Sequence, residues 1–232
     1  MTKVTGLRTV NYYEYSEVTL EGLQKAFPGY EHHILSGSYW PVESVFRDPE
    51  TGRIAAENVG SVSGNTFWRM DQVDKVIYDL KNDPMSRRIM TTLWNVSDLS
   101  EMNLQPCAWN CSFMVTRSPG SEKYVLNMIL NQRSQDVLAA WAWNTVQYAV
   151  LLSMLAQVCD MEVGQLMHVI TNCHIYDRHI PVVEELIARE PMPAPTFWLN
   201  PEVKDFYRFT PGDVKLLDYE AAGPQVKFEV AE

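Results

Sequence analysis

From Met70 to Asn82 the segment MDQVDKVIYDLKN places Val73, Val76, Ile77 and Leu80 at i, i+3, i+4 and i+7. That spacing predicts an amphipathic helix, ended by Asp83-Pro84. A shorter helix is expected over Val18–Phe27, stopped by Pro28-Gly29. Asp48–Gly52 (DPETG) carries Pro early and Gly last, which predicts a turn between two strands. Farther on, RRIMTTLWNVSDL and Cys111–Thr116 read as strands. In YVLNMILNQRS, Val125, Met128 and Leu130 lie among polar neighbours, as expected of a central strand. Thr145–Cys159 is apolar almost all round and predicts a buried helix. Gln165–Tyr176 is again strand-like, and Ile180–Glu190 reads as a closing helix before the Pro-rich PMPAP. The last third, Thr196–Glu232, suggests strands with turns at Pro211-Gly212 and Gly223-Pro224. Helices and many strands without βαβ regularity point to an α+β fold.

At 232 residues with 46% hydrophobic composition, the chain is expected to form one domain, residues 1–232, with a large core. A formal net charge of -10 argues against non-specific nucleic-acid binding, while leaving room for an anionic small molecule held by local arginines. The cysteines at 107, 111, 159 and 173 have neither a metal-finger spacing nor the density of a disulfide scaffold. The opening MTKVTGLRTV has no apolar run, and the longest apolar window, Thr145–Leu155, is too short to span a bilayer. These features lead to the expectation of a cytoplasmic protein without metal.

Three short pieces carry candidate chemistry: LQPCAWNCSF (Leu104–Phe113), LNQRSQDVLAAWAWNTVQY (Leu130–Tyr148) and NCHIYDRH (Asn172–His179). A Pro-Cys is followed about 25 residues on by Gln-Arg-Ser, then an Asn, then His-x-Tyr. In order and spacing this resembles the folate-dependent thymidylate synthase family, and the likeness runs from about Gly60 to the C-terminus, with residues 1–59 diverging. The resemblance implies a thymidylate synthase-like fold, a large twisted mixed sheet flanked by helices, paired sheet to sheet in a homodimer. It implies that Cys107 is the nucleophile that adds to C6 of a pyrimidine ring. That chemistry needs a thiolate, favoured by a nearby cation, for which Arg133 is the candidate. Gln132, Arg133 and Ser134 would bind the nucleotide, the arginine and serine at its 5'-phosphate. Arg87 and Arg88 in DPMSRR match the pair that the family's partner subunit donates to that phosphate.

Asn144 matches the base-reading and catalytic Asn. One side-chain amide accepts from uracil N3–H and donates to O4, whereas cytosine presents the reverse pattern. The related phage dCMP hydroxymethylases carry aspartate there, so Asn favours dUMP. His174 and Tyr176 would hold the 3'-hydroxyl, with Asn172 on the same face. Asp136 resembles the residue that contacts the folate pterin ring, so 5,10-methylenetetrahydrofolate is the implied co-substrate.

The chain also departs from the family pattern. The family's Cys-His is Cys107-Ala108, its Gly-Gly-Asp before His-x-Tyr is Ile170-Thr171-Asn172, and the approach to the base-reading Asn is Ala139–Trp143. Gly60–Gly64 aligns with a segment whose tyrosine serves proton transfer, and Ser63 stands in its place. The helix bearing the family's glutamate and the arginine loop before it have no match; Glu43 and Glu57 are candidate replacements. The retained parts bind nucleotide and start the addition, whereas the altered parts manage protons, water and folate. Three outcomes are therefore open: methylation of dUMP to dTMP, hydroxymethylation with water in place of hydride, or nucleotide binding without catalysis.

Overall fold

The computed structural model describes residues 18–35, 44–62, 65–117 and 120–230. Backbone proximity divides the chain into two compact units, Met1–Glu101 with Ser112–Met114, and Met102–Cys111 with Val115–Glu232. Among the described residues no helix is long and apolar enough to cross a membrane.

The first unit opens with α1 (Leu20–Ala26), whose N-cap Thr19 accepts a hydrogen bond from the Gly22 N–H at 3.0 Å. Strands β1 (Glu31–Ile34), β2 (Ser44–Arg47), β3 (Ile54–Val62) and β4 (Asn65–Arg69) follow in order as an antiparallel sheet. The expected DPETG turn joins β2 to β3: the Asp48 carboxylate accepts from the Glu50 N–H at 2.9 Å, and Gly52 adopts φ +74°. Helix α2 (Gln72–Asn82) matches its prediction, with Asp71 as N-cap and Val76, Ile77 and Leu80 buried. Lys81 Nζ and Asn82 Nδ2 donate to the Ala26 and Gly22 carbonyls, pinning α2 to α1. A Cβ on Gly22 would meet the Tyr78 hydroxyl at 2.5 Å, so only glycine fits that crossing. The long strand expected from Arg87 shrinks to β5 (Met90–Thr92). Local turn chemistry prevails beyond it, since Asn95 Nδ2 donates to the Asp98 carboxylate at 2.6 Å and bends the chain.

The second unit contains most of β6 (Ala108–Arg117, of which Ser112–Met114 fall to the first unit), with β7 (Tyr124–Asp136) and β8 (Glu162–His174) in adjacent order and β7 and β8 parallel. Parallel neighbours need a crossover, here the π-helical turn Val137–Trp141 running into α3 (Ala142–Val158). Leu126, Met128 and Leu130 of β7 are buried, as are Leu152, Leu155 and Ala156 of α3. The helix is apolar all round in sequence but only one stripe is covered; Trp143 is 78% exposed and Val146 is 55% exposed. One helix on one sheet face can bury only the side it turns to that sheet. After α4 (Ile180–Ile187), β9 (Thr196–Leu199) and β10 (Val214–Leu217) pair antiparallel. Gln157 of α3 donates to the Asn200 and Val203 carbonyls and anchors this ribbon. Beyond β10 the expected strands do not form; Gly223 turns the chain at φ +109°, and Pro224–Val230 is irregular. The α+β class expected from the sequence is the observed one.

Strand alternation gives β7 and β8 a second face, away from α3. Register pairs Ile129 with Met167 and Asn131 with Val169. Of these, Ile129, Met167 and Val169 are exposed. These three side chains form an apolar stripe on that face.

Candidate functional site

The C-terminal end of β7 organises the candidate site. Alternation turns Gln132 inward, where it is 1% exposed, and leaves Arg133 at the opposite face. The Arg133 N–H donates to the Cys107 carbonyl at 2.8 Å. Its guanidinium donates through Nε to the Pro106 carbonyl at 3.0 Å and through Nη2 to the Gln105 carbonyl at 2.8 Å. Arg133 therefore holds three consecutive residues of the segment that carries Cys107, and a positive charge stays beside them. Its Nη1 and the Ser134 hydroxyl have no hydrogen-bond partner among the described residues and remain available to an anion. Cys107 itself is half-buried and precedes β6.

Parallel pairing brings the second motif alongside the first: Ser134 lies opposite Asn172, and Asp136 opposite His174. The Asn172 Oδ1 is 2.9 Å from His174 Nδ1, and the His174 and Tyr176 rings meet edge to face at 5.1 Å. The strand ends at His174, yet this ring contact keeps Tyr176 beside it. Tyr176 also meets the buried His179 ring, which packs on Phe228 at 5.2 Å and whose Nε2 is 2.8 Å from the Glu229 carbonyl oxygen. The C-terminal segment is thus docked against the His-x-Tyr end of β8.

Asn144, half-buried near the start of α3, donates from Nδ2 to Gln135 Oε1 at 3.1 Å. Gln135 belongs to a buried polar chain. Gln132 Nε2 donates to the same Gln135 oxygen at 2.5 Å and to the Ser134 carbonyl at 2.8 Å, while Gln132 Oε1 is 3.0 Å from His168 Nε2. His168 Nδ1 lies 3.2 Å from the Thr145 hydroxyl. Burial lowers the His168 pKa, favouring the neutral ring. Gln132, expected at the substrate, here lies wholly within this network. Gln135, Thr145 and His168 escaped the sequence reading. Only His168 carried a signal, a polar residue in the alternation of an apolar strand between Leu166 and Ile170.

Asp136 caps the helical turn that follows, accepting from the Ala139 N–H through Oδ1 at 3.1 Å. Its second oxygen has no partner among the described residues, which fits a ring N–H donor such as a pterin offers. Of the candidate glutamates, Glu57 of β3 is ion-paired with Arg69 of β4. Glu43 and Ser63 lie outside the described residues.

The remaining candidates belong to the first unit. Arg87 and Arg88 are exposed and make no ion pair among the described residues. With Gln72, Lys75, Asp79 and Met90 they line a cavity of about 240 Å³. Lys75 and Asp79 pair with each other at 2.6 Å, so both arginine charges stay uncompensated there. Two adjacent free guanidinium groups suit a phosphate dianion.

The family model described as "Thymidylate synthase" matches residues 38–232, which carries the likeness further towards the N-terminus than the motifs alone did. The thymidylate synthase of Bacillus subtilis subsp. natto is 42% identical over 163 residues, 70% of this chain and 56% of the relative. The thymidylate synthase of Bacillus phage phi3T gives the same identity and coverage. Among solved structures, thermostable thymidylate synthase A from Bacillus subtilis superposes with a TM-score of 0.66 at 39% identity, covering 76% of this chain and 60% of that one. The chain thus spans 56% of the length of these curated relatives.

Proposed function

Because this chain belongs to the thymidylate synthase family, we propose that it transfers a one-carbon unit from 5,10-methylenetetrahydrofolate to C5 of a pyrimidine nucleotide, converting dUMP to dTMP. The observation that carries this reading is the coupling of Cys107 to Arg133, whose N–H and guanidinium hold the Gln105–Cys107 segment. A nucleophilic thiol needs such a cation, and a nucleotide 5'-phosphate needs the same one. The Cys107 thiolate adds to C6 across the C5–C6 double bond, which makes C5 nucleophilic; C5 later gives up its proton, and breaking the sulfur–C6 bond restores the double bond and the thiolate. The folate, when bound, supplies the one-carbon unit and the hydride. Arg133 and Ser134, with Arg87 and Arg88 of the partner subunit, hold the 5'-phosphate. His174 and Tyr176 hold the 3'-hydroxyl, Asn144 reads the base, and Asp136 meets the pterin ring. We take residues 1–232 as a single catalytic domain, since the family match runs across both compact units.

The test is product analysis by mass spectrometry after incubation with dUMP and methylenetetrahydrofolate, with dihydrofolate followed by absorbance. Thymidylate formed together with dihydrofolate is the expected result. Hydroxymethyl-dUMP with tetrahydrofolate would make the chain a hydroxymethylase and implicate Ala108 at the family's histidine position. Binding of dUMP without either product would make it a non-catalytic homologue.

The homodimer in this proposal uses the open face of β7 and β8, where Met167 is 57% exposed and Val169 is 43% exposed. Met167→Glu places a charge in the middle of that stripe, where pairing would bury it without a partner. We expect a monomer in sedimentation at micromolar concentration, with activity lost because Arg87 and Arg88 no longer reach a neighbour's site. A Met167→Glu protein that remains dimeric and active would rule this face out.

A further inference from the structure

The directions of the amide hydrogen bonds in the polar chain behind Asn144 follow from two backbone carbonyls, those of Ser134 and Asp136, which can only accept. Gln135 Nε2 donates to the Asp136 carbonyl at 2.9 Å, which turns Gln135 Oε1 towards Gln132 and Asn144. That oxygen receives both Gln132 Nε2–H and Asn144 Nδ2–H, at 2.5 and 3.1 Å. Gln132 cannot present its amide the other way, because its nitrogen also serves the Ser134 carbonyl and its oxygen faces His168 Nε2. His168 must then carry a proton on Nε2, while its Nδ1 lies 3.2 Å from the hydroxyl of Thr145, which itself donates to the Trp141 carbonyl at 2.9 Å. Lowering of the His168 pKa by burial fits this neutral tautomer. Turning the Asn144 amide over would set its oxygen against the Gln135 oxygen, two acceptors with no proton between them.

We propose that Gln135 and His168 are positioning residues that fix which end of the Asn144 amide meets the base, and so set the preference for uracil over cytosine nucleotides. With one Nδ2–H held by Gln135, Asn144 offers its other N–H and its Oδ1 as a donor–acceptor pair. Uracil, with N3–H and O4, matches that pair; cytosine, with N3 and a 4-amino group, opposes it. This inference rests on the reading of the site as a pyrimidine nucleotide site. Gln135 acts directly on Asn144, and His168 acts through Gln132. The discrimination is therefore held by side chains that need not touch the nucleotide.

The experiment measures dUMP and dCMP dissociation constants by calorimetry for the wild type, Gln135→Leu, His168→Leu and His168→Gln. Circular dichroism and thermal melting check that each variant folds. Leucine at either position removes the group that prevents reversal. The dUMP-to-dCMP affinity ratio should fall about tenfold, the scale of one hydrogen bond. His168→Gln restores an N–H donor towards Gln132 and should keep the ratio within about threefold of wild type, a rescue that a merely structural role would not produce. In labelled protein, the two Asn144 Nδ2 protons should exchange with solvent at different rates in the wild type and at similar rates in Gln135→Leu, whether or not nucleotide is present. An unchanged ratio in folded Gln135→Leu or His168→Leu would overturn the proposal while leaving the nucleotide reading intact. Equal loss of selectivity in His168→Leu and His168→Gln would also overturn it. A wild type that binds neither nucleotide would overturn the functional reading first, and this proposal with it.

Discussion

Cys107→Ala is expected to abolish turnover, by at least about 10³-fold, while dUMP affinity stays within about threefold of wild type. The asymmetry follows from what Cys107 contributes to the structure. Its bond to Arg133 is made by the backbone carbonyl, which alanine retains. The segment should keep its place, the phosphate groups their geometry, and the protein its melting temperature. Only the bond between sulfur and C6 is lost, and without it C5 does not become nucleophilic. Cys173→Ala is the matched control, since that thiol is exposed on β8 and has no role in the proposed chemistry. Dihydrofolate formation and calorimetric dUMP binding together check the expectation. A Cys107→Ala protein that still converts dUMP would remove covalent catalysis from the account.

Much of this arrangement was legible in the sequence where local pattern and tertiary context agree. The 3.6-residue spacing of Val76, Ile77 and Leu80 gave α2, because a helix on one support buries one stripe. The motif order Pro-Cys, Gln-Arg-Ser, His-x-Tyr was legible too, and the register of β7 on β8 shows why the last two belong together: Ser134 faces Asn172. Legibility failed where a distant contact decides. Nothing near His168 announces that its ring closes a polar chain to an amide on α3, since Gln132 is 36 residues away. Val146 reads as core because hydrophobicity does not say which side of a helix has a neighbour. The docking of Phe228 on His179 joins residues that no periodicity links, so the tail's end point was invisible. The strand expected after Arg87 failed for the opposite reason: an Asn95–Asp98 turn, entirely local, cut it short.

The second large effect is expected at Arg133, to which the proposed chemistry gives two roles that most sites divide. Through Nε and Nη2 it holds the Pro106 and Gln105 carbonyls, and Nη1 is left for the proposed phosphate. Arg133→Ala loses the tether and the charge together. Charge-assisted hydrogen bonds are worth roughly 1.5–3 kcal/mol each, so kcat/KM should fall by about 10³-fold or more. Arg133→Lys keeps a charge but not the planar fork, so it cannot span two carbonyls and an anion at once; an intermediate loss is expected. The two roles separate by kinetics. If Arg133 served the phosphate alone, KM for dUMP would rise and kcat would hold. Because it also fixes the segment carrying Cys107, kcat should fall as well, and alkylation of Cys107 by iodoacetamide should slow in the free enzyme, where no phosphate is bound. A variant with raised KM, wild-type kcat and wild-type alkylation rate would limit Arg133 to the phosphate. The coupling of nucleophile to substrate charge would then have to come from another residue.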